Sequence, residues 1–322
     1  MKKVFKLILI LLFITGCTNS KVDSHNFFYM DTYINVKIYD TENAESVFNE
    51  IEKIYKEYHE LADRYHGYDN LKNVYYIKNN DSNEETIKID SKLCNMIKLG
   101  LDYNEKTNGS FNINMADILD VWKEYRENRN GIPTKEELED AKSKINPIIL
   151  NDNCELKNNH PSIDLGAIAK GYATEKVGEY LKEKGISKFI INAGGNVLVG
   201  EHYDNSKYKI GLEKPDQTKE IYKVLKLNNT SVVTSGGYER FYTYEGKTYH
   251  HIIDYNTMYP ANYFKSVTVI TKDSGLADTL STSLFLMSVE DGKKLIKDLD
   301  VDVIWYTIDD EIIKTEGIKG YE

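Results

Sequence analysis

The chain has 322 residues, enough for one large domain with a substantial core, so a small stapled scaffold is excluded. With 41 Lys+Arg against 51 Asp+Glu and a net charge of -10, it lacks the basic footprint of a polyanion binder, and no nucleic-acid partner is expected. At 41% hydrophobic and only 5 Pro the composition excludes a disordered chain, and 25 Tyr is its unusual count.

Lys2, Lys3 and Lys6 precede an apolar run, Leu7 to Ile14, too short to cross a bilayer, so residues 1–16 read as a signal peptide. Ile14-Thr15-Gly16-Cys17 resembles a bacterial lipobox, in which small residues admit the peptidase and the thiol accepts the lipid. Cys17 is then the lipidated N-terminus, and the expected location is the cell membrane, anchored on its extracytoplasmic face. Loss of residues 1–16 removes three lysines, taking the net charge from -10 to -13. Residues 17–26 are polar and read as a tether, and residues 27–322, free of repeats and Pro/Ser-rich linkers, as one domain. Cys94 and Cys154 match no metal spacing; one disulfide could form, but two buried free thiols are the plainer expectation.

Phe27 to Tyr39 reads as one half-buried strand with Met30-Asp31-Thr32 at its start. Apolar residues from Ala44 to Tyr65 recur at three- and four-residue steps and predict a long amphipathic helix. Further helices are predicted from Ser91 to Asn108-Gly109, over Leu119 to Tyr125 with Trp122 inward, and after a capping box of Thr134 and Glu137. Beyond them, strand-like runs at Lys188–Asn192, Ser231–Thr234, Ser266–Thr271 and Val301–Thr307 mix with helical stretches after Gly166 and Gly275. The strands are too irregularly separated for a doubly wound parallel sheet, and the class read from the pattern is α+β with a mixed sheet.

Three segments could carry chemistry. In Ser162 to Tyr172, a helix start flanked by Asp164 and Lys170 makes an anion site, and Gly194-Gly195 after the next strand allows close approach of a ligand. In Ser231 to Asp254, hydroxyls and backbone amides gather at a strand end, with His251 and Asp254 three residues apart beside it. In Gly275 to Phe285, Asp278 and Thr282 stand four apart on a helix, an oxygen pair suited to a hard cation such as Mg2+. Taken singly, each also reads as ordinary capping or turn chemistry.

In this order the segments resemble the ApbE family of FAD:protein FMN transferases. The matching stretches are Met30-Asp31-Thr32, Gly109-Ser110-Phe111-Asn112, Asp164 to Gly171, Asn192 to Asn196, His251 to Pro260 and Ala277 to Thr282. The chain departs from the family pattern at Asp31 and Met258, each in place of a Gly, at Asn112 in place of an Asp, and at Tyr255 in place of a Pro. A Met where the Gly supplies a positive φ costs about 1 kcal/mol or more, so the His251 loop is expected to take another path.

The resemblance implies a T-fold-like single catalytic domain that moves FMN from FAD to a Thr or Ser hydroxyl of an acceptor protein, releasing AMP. It places Mg2+ on Asp278, Thr282 and the carbonyl of Ala167, and FAD, as substrate, against Met30, Tyr65, Ser110, Phe111, Asn112, Asp164, Lys170 and Ile253. His251 is expected near the reacting phosphate or the incoming hydroxyl, with Asp254 orienting it. The acceptors implied are redox subunits of the NQR/RNF type or flavin-carrying lipoproteins. Rival readings are an FAD pyrophosphatase, with water as acceptor, and a nucleotide-binding lipoprotein without transfer activity.

Overall fold

The computed structural model describes residues 21–128, 131–216 and 218–322; the signal peptide and Cys17 lie outside the described residues. The chain opens with β1 (Val22–Tyr29) and β2 (Thr32–Tyr39), followed by α1 (Ala44–Ala62), α2 (Val74–Asn79), β3 (Thr86–Lys88) and α3 (Ser91–Lys106). Next come α4 (Ala116–Asn128), α5 (Lys135–Ser143), β4 (Glu155–Lys157), α6 (Ala169–Glu183), β5 (Phe189–Ala193) and β6 (Asn196–Val199). Two hairpin pairs and one strand of the main sheet fill the middle: β7 (Tyr208–Glu213) with β8 (Ile221–Leu227), then β9 (Thr230–Gly236), then β10 (Phe241–Tyr244) with β11 (Lys247–His250). The chain ends with β12 (Phe264–Thr271), α7 (Ser274–Phe285), α8 (Val289–Leu295), β13 (Asp302–Thr307), β14 (Ile312–Lys314) and a short 3-10 turn.

Eight strands form one sheet in the order β1-β2-β5-β6-β9-β12-β13-β14. The α+β class holds, but every neighbouring pair in this sheet is antiparallel, so it is not mixed. One face carries the main core, where α1, α6 and α7 lay their apolar stripes on the strands. The α1 stripe is the predicted one, with Phe48, Ile51, Tyr55, Tyr58 and Leu61 buried. Tyr55 also donates to or accepts from Thr174 of α6 at 3.1 Å, which locks the two helices in register. The other face is covered by β7, β8 and the 3-10 turn. A third, separate cluster joins α4 and α5 to the β10–β11 hairpin around Trp122, Leu138, Tyr242, Ile253 and Met258. The Thr134–Glu137 capping box forms as expected.

Three expectations are corrected. Phe27 to Tyr39 is not one strand but parts of two, joined by a two-residue turn in which Met30 and Asp31 have φ of 53° and 57°. Two left-handed residues in succession give the turn whose twist matches a hairpin, and Asp tolerates that conformation where the family has Gly. Residues 22–26 are not tether but the start of β1, paired with β2 from Val22↔Tyr39 to Asn26↔Asn35. Their polar side chains suit an edge strand wet on both faces, which composition alone cannot tell from a linker. Cys94 and Cys154 are not free thiols: they form a disulfide, their Cα atoms 5.6 Å apart. The β3–β4 pairing brings Cys154 to the base of α3, where its carbonyl accepts from Ile89, a proximity that a separation of 60 residues conceals.

Candidate active site

The first half of the site lies where α6 meets α7. Gly171 lets these helices touch: a Cβ there would stand 2.3 Å from the Ser274 carbonyl oxygen and 2.4 Å from the Cβ of Asp278. The close approach lets the Gly171 N–H donate to Asp278 Oδ2 at 2.8 Å. Lys170 reaches both Asp278 oxygens at 3.4 and 3.5 Å, and the Gly166 carbonyl at 3.4 Å. Asp278 is only 3% exposed, and burial raises its carboxyl above the ordinary carboxylate range against the pull of Lys170 and the Gly171 amide. Thr282 stands one turn further along α7, and its hydroxyl shares Ser235, at the end of β9, with Ser281 at 3.2 and 2.7 Å. Ala167 lies in the turn leading into α6, next to Gly166.

Among the described residues no three His, Cys, Asp or Glu side chains gather into a metal nest. The donor set beside Asp278 is one buried carboxylate with hydroxyls and turn carbonyls. That set fits a hard cation completing its shell from water and substrate phosphate, and it does not fit a softer metal. Nearby, Asn196 is fully buried; its Oδ1 accepts from Ser274 and its Nδ2 has no partner, leaving one donor directed at this junction.

The hairpin turn at Met30 closes over the same end of the sheet. Gly194 and Gly195 have φ of 58° and 85°, and a Cβ on Gly194 would fall 2.0 Å from the Thr32 hydroxyl. The Met30 amide donates to His59 at 3.3 Å.

The second half is the loop from His251 to Pro260. The Nδ1 of His251 faces the Arg240 carbonyl oxygen at 3.2 Å, which assigns the proton to Nδ1 and leaves Nε2 with a free lone pair. Burial pushes this imidazole down to about 3, and the charge of Arg240 and the neighbouring His250 add to the effect, so it is neutral through the physiological range. Asp254 does not orient it. Its carboxylate accepts from the Asn256 N–H at 2.7 Å and its carbonyl from the Met258 N–H at 2.7 Å, so it closes its own turn. The orienting group is a main-chain carbonyl.

The loop keeps the left-handed step that the Gly of the family pattern would supply. Met258 has φ of 62° and is buried, and its carbonyl accepts from the Trp122 indole at 2.8 Å. The expected alternative path is therefore not taken; burial of the thioether in the Trp122 cluster offsets the strain. Tyr255 donates its N–H to the Ser110 carbonyl at 3.3 Å, a bond that the Pro of the family pattern would lack. Ser110 also accepts from Asn256, so segment 110–112 and the loop form one wall. Asn112 accepts from the Asn114 N–H at 2.8 Å, as an Asp there would. Phe111 and Ile253 are 2% and 4% exposed, placed as packing beneath this wall with little surface to offer a ligand.

Asp164 is engaged by a residue that the sequence reading did not single out. Arg64 pairs with it at 2.7 Å and forks onto Asp120 at 2.7 and 2.9 Å. The half-exposed Tyr65 ring lies between Arg64 at 4.4 Å and Lys123 at 4.3 Å. Arg126 and Arg240 were missed as well. A signal was present: only four of the 41 cationic residues are arginines, Arg64, Arg126, Arg129 and Arg240. In a chain so committed to lysine, a guanidinium marks a place where a planar fork is needed.

The fold thus sets Met30, Ser110, Lys170, His251, Asp278 and Thr282 on loops and helices at the same end of the sheet. A FAD:protein FMN transferase of Klebsiella pneumoniae is 28% identical over 305 residues, covering 92% of each chain. One of Buchnera aphidicola from the subspecies Baizongia pistaciae is 32% identical over 219 residues, covering 65% of this chain and 64% of that one. Among solved structures, the ApbE protein of Thermotoga maritima superposes with a TM-score of 0.82 at 26% identity, covering 94% of this chain and 99% of that one. The flavin transferase ApbE of Vibrio cholerae gives 0.80 at 22% identity, over 94% and 100%. The ApbE family model matches residues 30–305, from the turn methionine into β13, which takes in every segment of the site. With the inner strands of its sheet, its helix junction and its histidine loop inside that match, the chain belongs to the ApbE family.

Proposed function

We propose that this chain transfers FMN from FAD to a Thr or Ser hydroxyl of an acceptor protein, forming a phosphoester and releasing AMP. The observation that carries the reading is a buried carboxylate, Asp278, paired with Lys170 and one helical turn from Thr282, at the same end of the sheet as a neutral His251 whose Nε2 is free. Asp278, Thr282 and the Ala167 carbonyl would hold Mg2+, which when bound would neutralise diphosphate charge. Lys170 binds a phosphate oxygen, since an ammonium at the start of α6 adds to the positive end of the helix. His251 takes the proton of the acceptor hydroxyl at Nε2, while the Arg240 carbonyl keeps the other nitrogen protonated and the ring fixed. Tyr65, Met30 and the 110–112 wall enclose the dinucleotide.

The acceptors fitting this reading are redox subunits of the NQR/RNF type or flavin-carrying lipoproteins, met by an enzyme lipidated at Cys17 on the extracytoplasmic face. The Cys94–Cys154 disulfide supports an oxidising compartment. Incubating the mature chain with FAD, Mg2+ and such an acceptor should leave flavin on the denatured acceptor and AMP in solution. AMP and free FMN without flavinylated acceptor would instead make it a pyrophosphatase. Cys17→Ala should move the protein from the membrane to the soluble fraction; membrane association that persists in high salt would remove the anchor.

A further inference from the structure

Two of the rare arginines have no structural duty that accounts for them. Arg126 stands one turn beyond Trp122 on α4. The Trp122–Tyr249 and Tyr249–Tyr242 stacks, at 5.8 and 5.6 Å, set that turn against β10, and Arg240 is the residue just before β10. Arg126 is half-buried, yet among the described residues no carboxylate pairs with it; the adjacent Glu127 faces Lys123 at 3.8 Å. Arg240 has only a distant pair, 3.8 Å from the exposed Asp31 on the hairpin turn. Burial and the nearby Arg240 charge both press Arg126 below the usual arginine range. A third donor is idle beside them: Tyr242 is 5% exposed and its hydroxyl has no partner. Arg64 is the contrast, since two carboxylates, Asp120 and Asp164, each pair with it at 2.7 Å.

A half-buried guanidinium beside an unpartnered buried hydroxyl is costly unless an oxyanion joins them, and the exposed Arg240 brings a second, unneutralised positive charge to the same place. Arg240 holds His251 through its carbonyl and its guanidinium charge also acts on that imidazole, which puts it on the side of the site where the acceptor hydroxyl would enter. In an in-line displacement the leaving AMP departs on the opposite side, and the oxygens in reach of both sides are the non-bridging ones of the phosphoryl being transferred. We propose that Arg126 and Arg240 bind the phosphoryl oxygens of the FMN half of FAD and hold that group while it changes partners. This rests on the transferase reading above. The bond from the acceptor oxygen to the FMN phosphorus forms as the bond from that phosphorus to the AMP phosphate oxygen breaks; the acceptor proton goes to His251 Nε2, and AMP leaves with the electron pair. The planar forks suit two phosphoryl oxygens, which lysine could not grip in the same way.

The test compares FMN, riboflavin and AMP as ligands of the mature chain by flavin-fluorescence titration and competition, with Arg126→Gln, Arg240→Gln and the two Arg→Lys variants. Each Gln variant should weaken FMN about tenfold, leave riboflavin and AMP within about twofold, and lower the transfer rate with little change in acceptor KM. The Lys variants should recover part of the FMN affinity and guard against loss of fold, which unfolding midpoints report. Equal weakening of FMN and riboflavin, or a rise in acceptor KM alone, would overturn the proposal. Because the titration needs no turnover, it judges the arginines even if the wild type moves no flavin to any acceptor, a result that would sink the transferase reading instead.

Discussion

The two halves of the site are built by opposite means. At the α6–α7 junction the groups sit on two helices packed against the main core, and a missing side chain at Gly171 sets the distance. The His251 loop rests on a smaller cluster, held by the indole of Trp122, the ammonium of Lys142 3.1 Å from the Tyr255 carbonyl, and a methionine in a left-handed conformation. The α6–α7 half therefore tolerates almost no change of backbone, whereas the His251 half has strain to trade. Binding charge asks for fixed dipoles, and the hydroxyl of a protein acceptor has to be admitted.

The largest effect expected from this contrast is at Gly171. Gly171→Ala drives a methyl into the Ser274 carbonyl, and should cost about 3 kcal/mol in urea unfolding together with nearly all transfer activity. Stability close to wild type would show that the helices can separate. Next, Asp278→Asn should lower kcat about a hundredfold or more while stability stays within about 2 kcal/mol. Its carboxyl is raised in the folded state, so the unfolded chain loses that proton first and the native protein loses stability as pH climbs from the ordinary carboxylate range to the folded value. The Asn variant should lack that loss, so its stability relative to wild type should improve between acid and neutral pH.

His251 runs the other way. Its folded value is depressed to about 3, so between there and the ordinary histidine value near 6.5 the unfolded chain holds more protons, and stability rises with pH across that window. His251→Gln should flatten this rise, and wild-type activity should show no loss of a histidine base near pH 6.5. A break in the rate at that pH would place His251 in a wetter setting than its burial implies. The smallest effect is expected at Met258→Gly, where relief of the left-handed step, about 1 kcal/mol, nearly cancels the loss of a buried thioether. A net change beyond about 2 kcal/mol in either direction would show that one of the two terms has been misjudged.

The same division decided what could be read in advance. The helices announced themselves because α1, α3, α6 and α7 bury stripes at helical spacing, and Asp278 with Thr282 needed only that spacing to be placed together. The hairpin turn was hidden because Asp31 stands where a glycine would have marked it. The partner of His251 was hidden for a deeper reason: a carbonyl oxygen belongs to every residue, so no residue type advertises it, and Asp254 was the obvious but wrong candidate. Arg126 comes near the histidine loop through the packing of α4 on β11 and on that loop, contacts that no local pattern encodes.

The bond between Cys94 and Cys154 also sets an order of events. It closes a ring of chain that contains segment 110–112, α4 and α5, and so much of the support on which the His251 loop leans, the β10–β11 hairpin lying outside it. Closing a ring of that size removes about 4 kcal/mol of freedom from the unfolded chain in the chain-entropy account. Until the thiols have joined, the small cluster must assemble on its own packing, while the α6–α7 junction, outside the ring, needs no such help. A newly made molecule would therefore acquire its grip on phosphate before its capacity to accept a proton, and oxidation of one pair of sulfurs would be the step that brings the second half of the site up to the stability of the first.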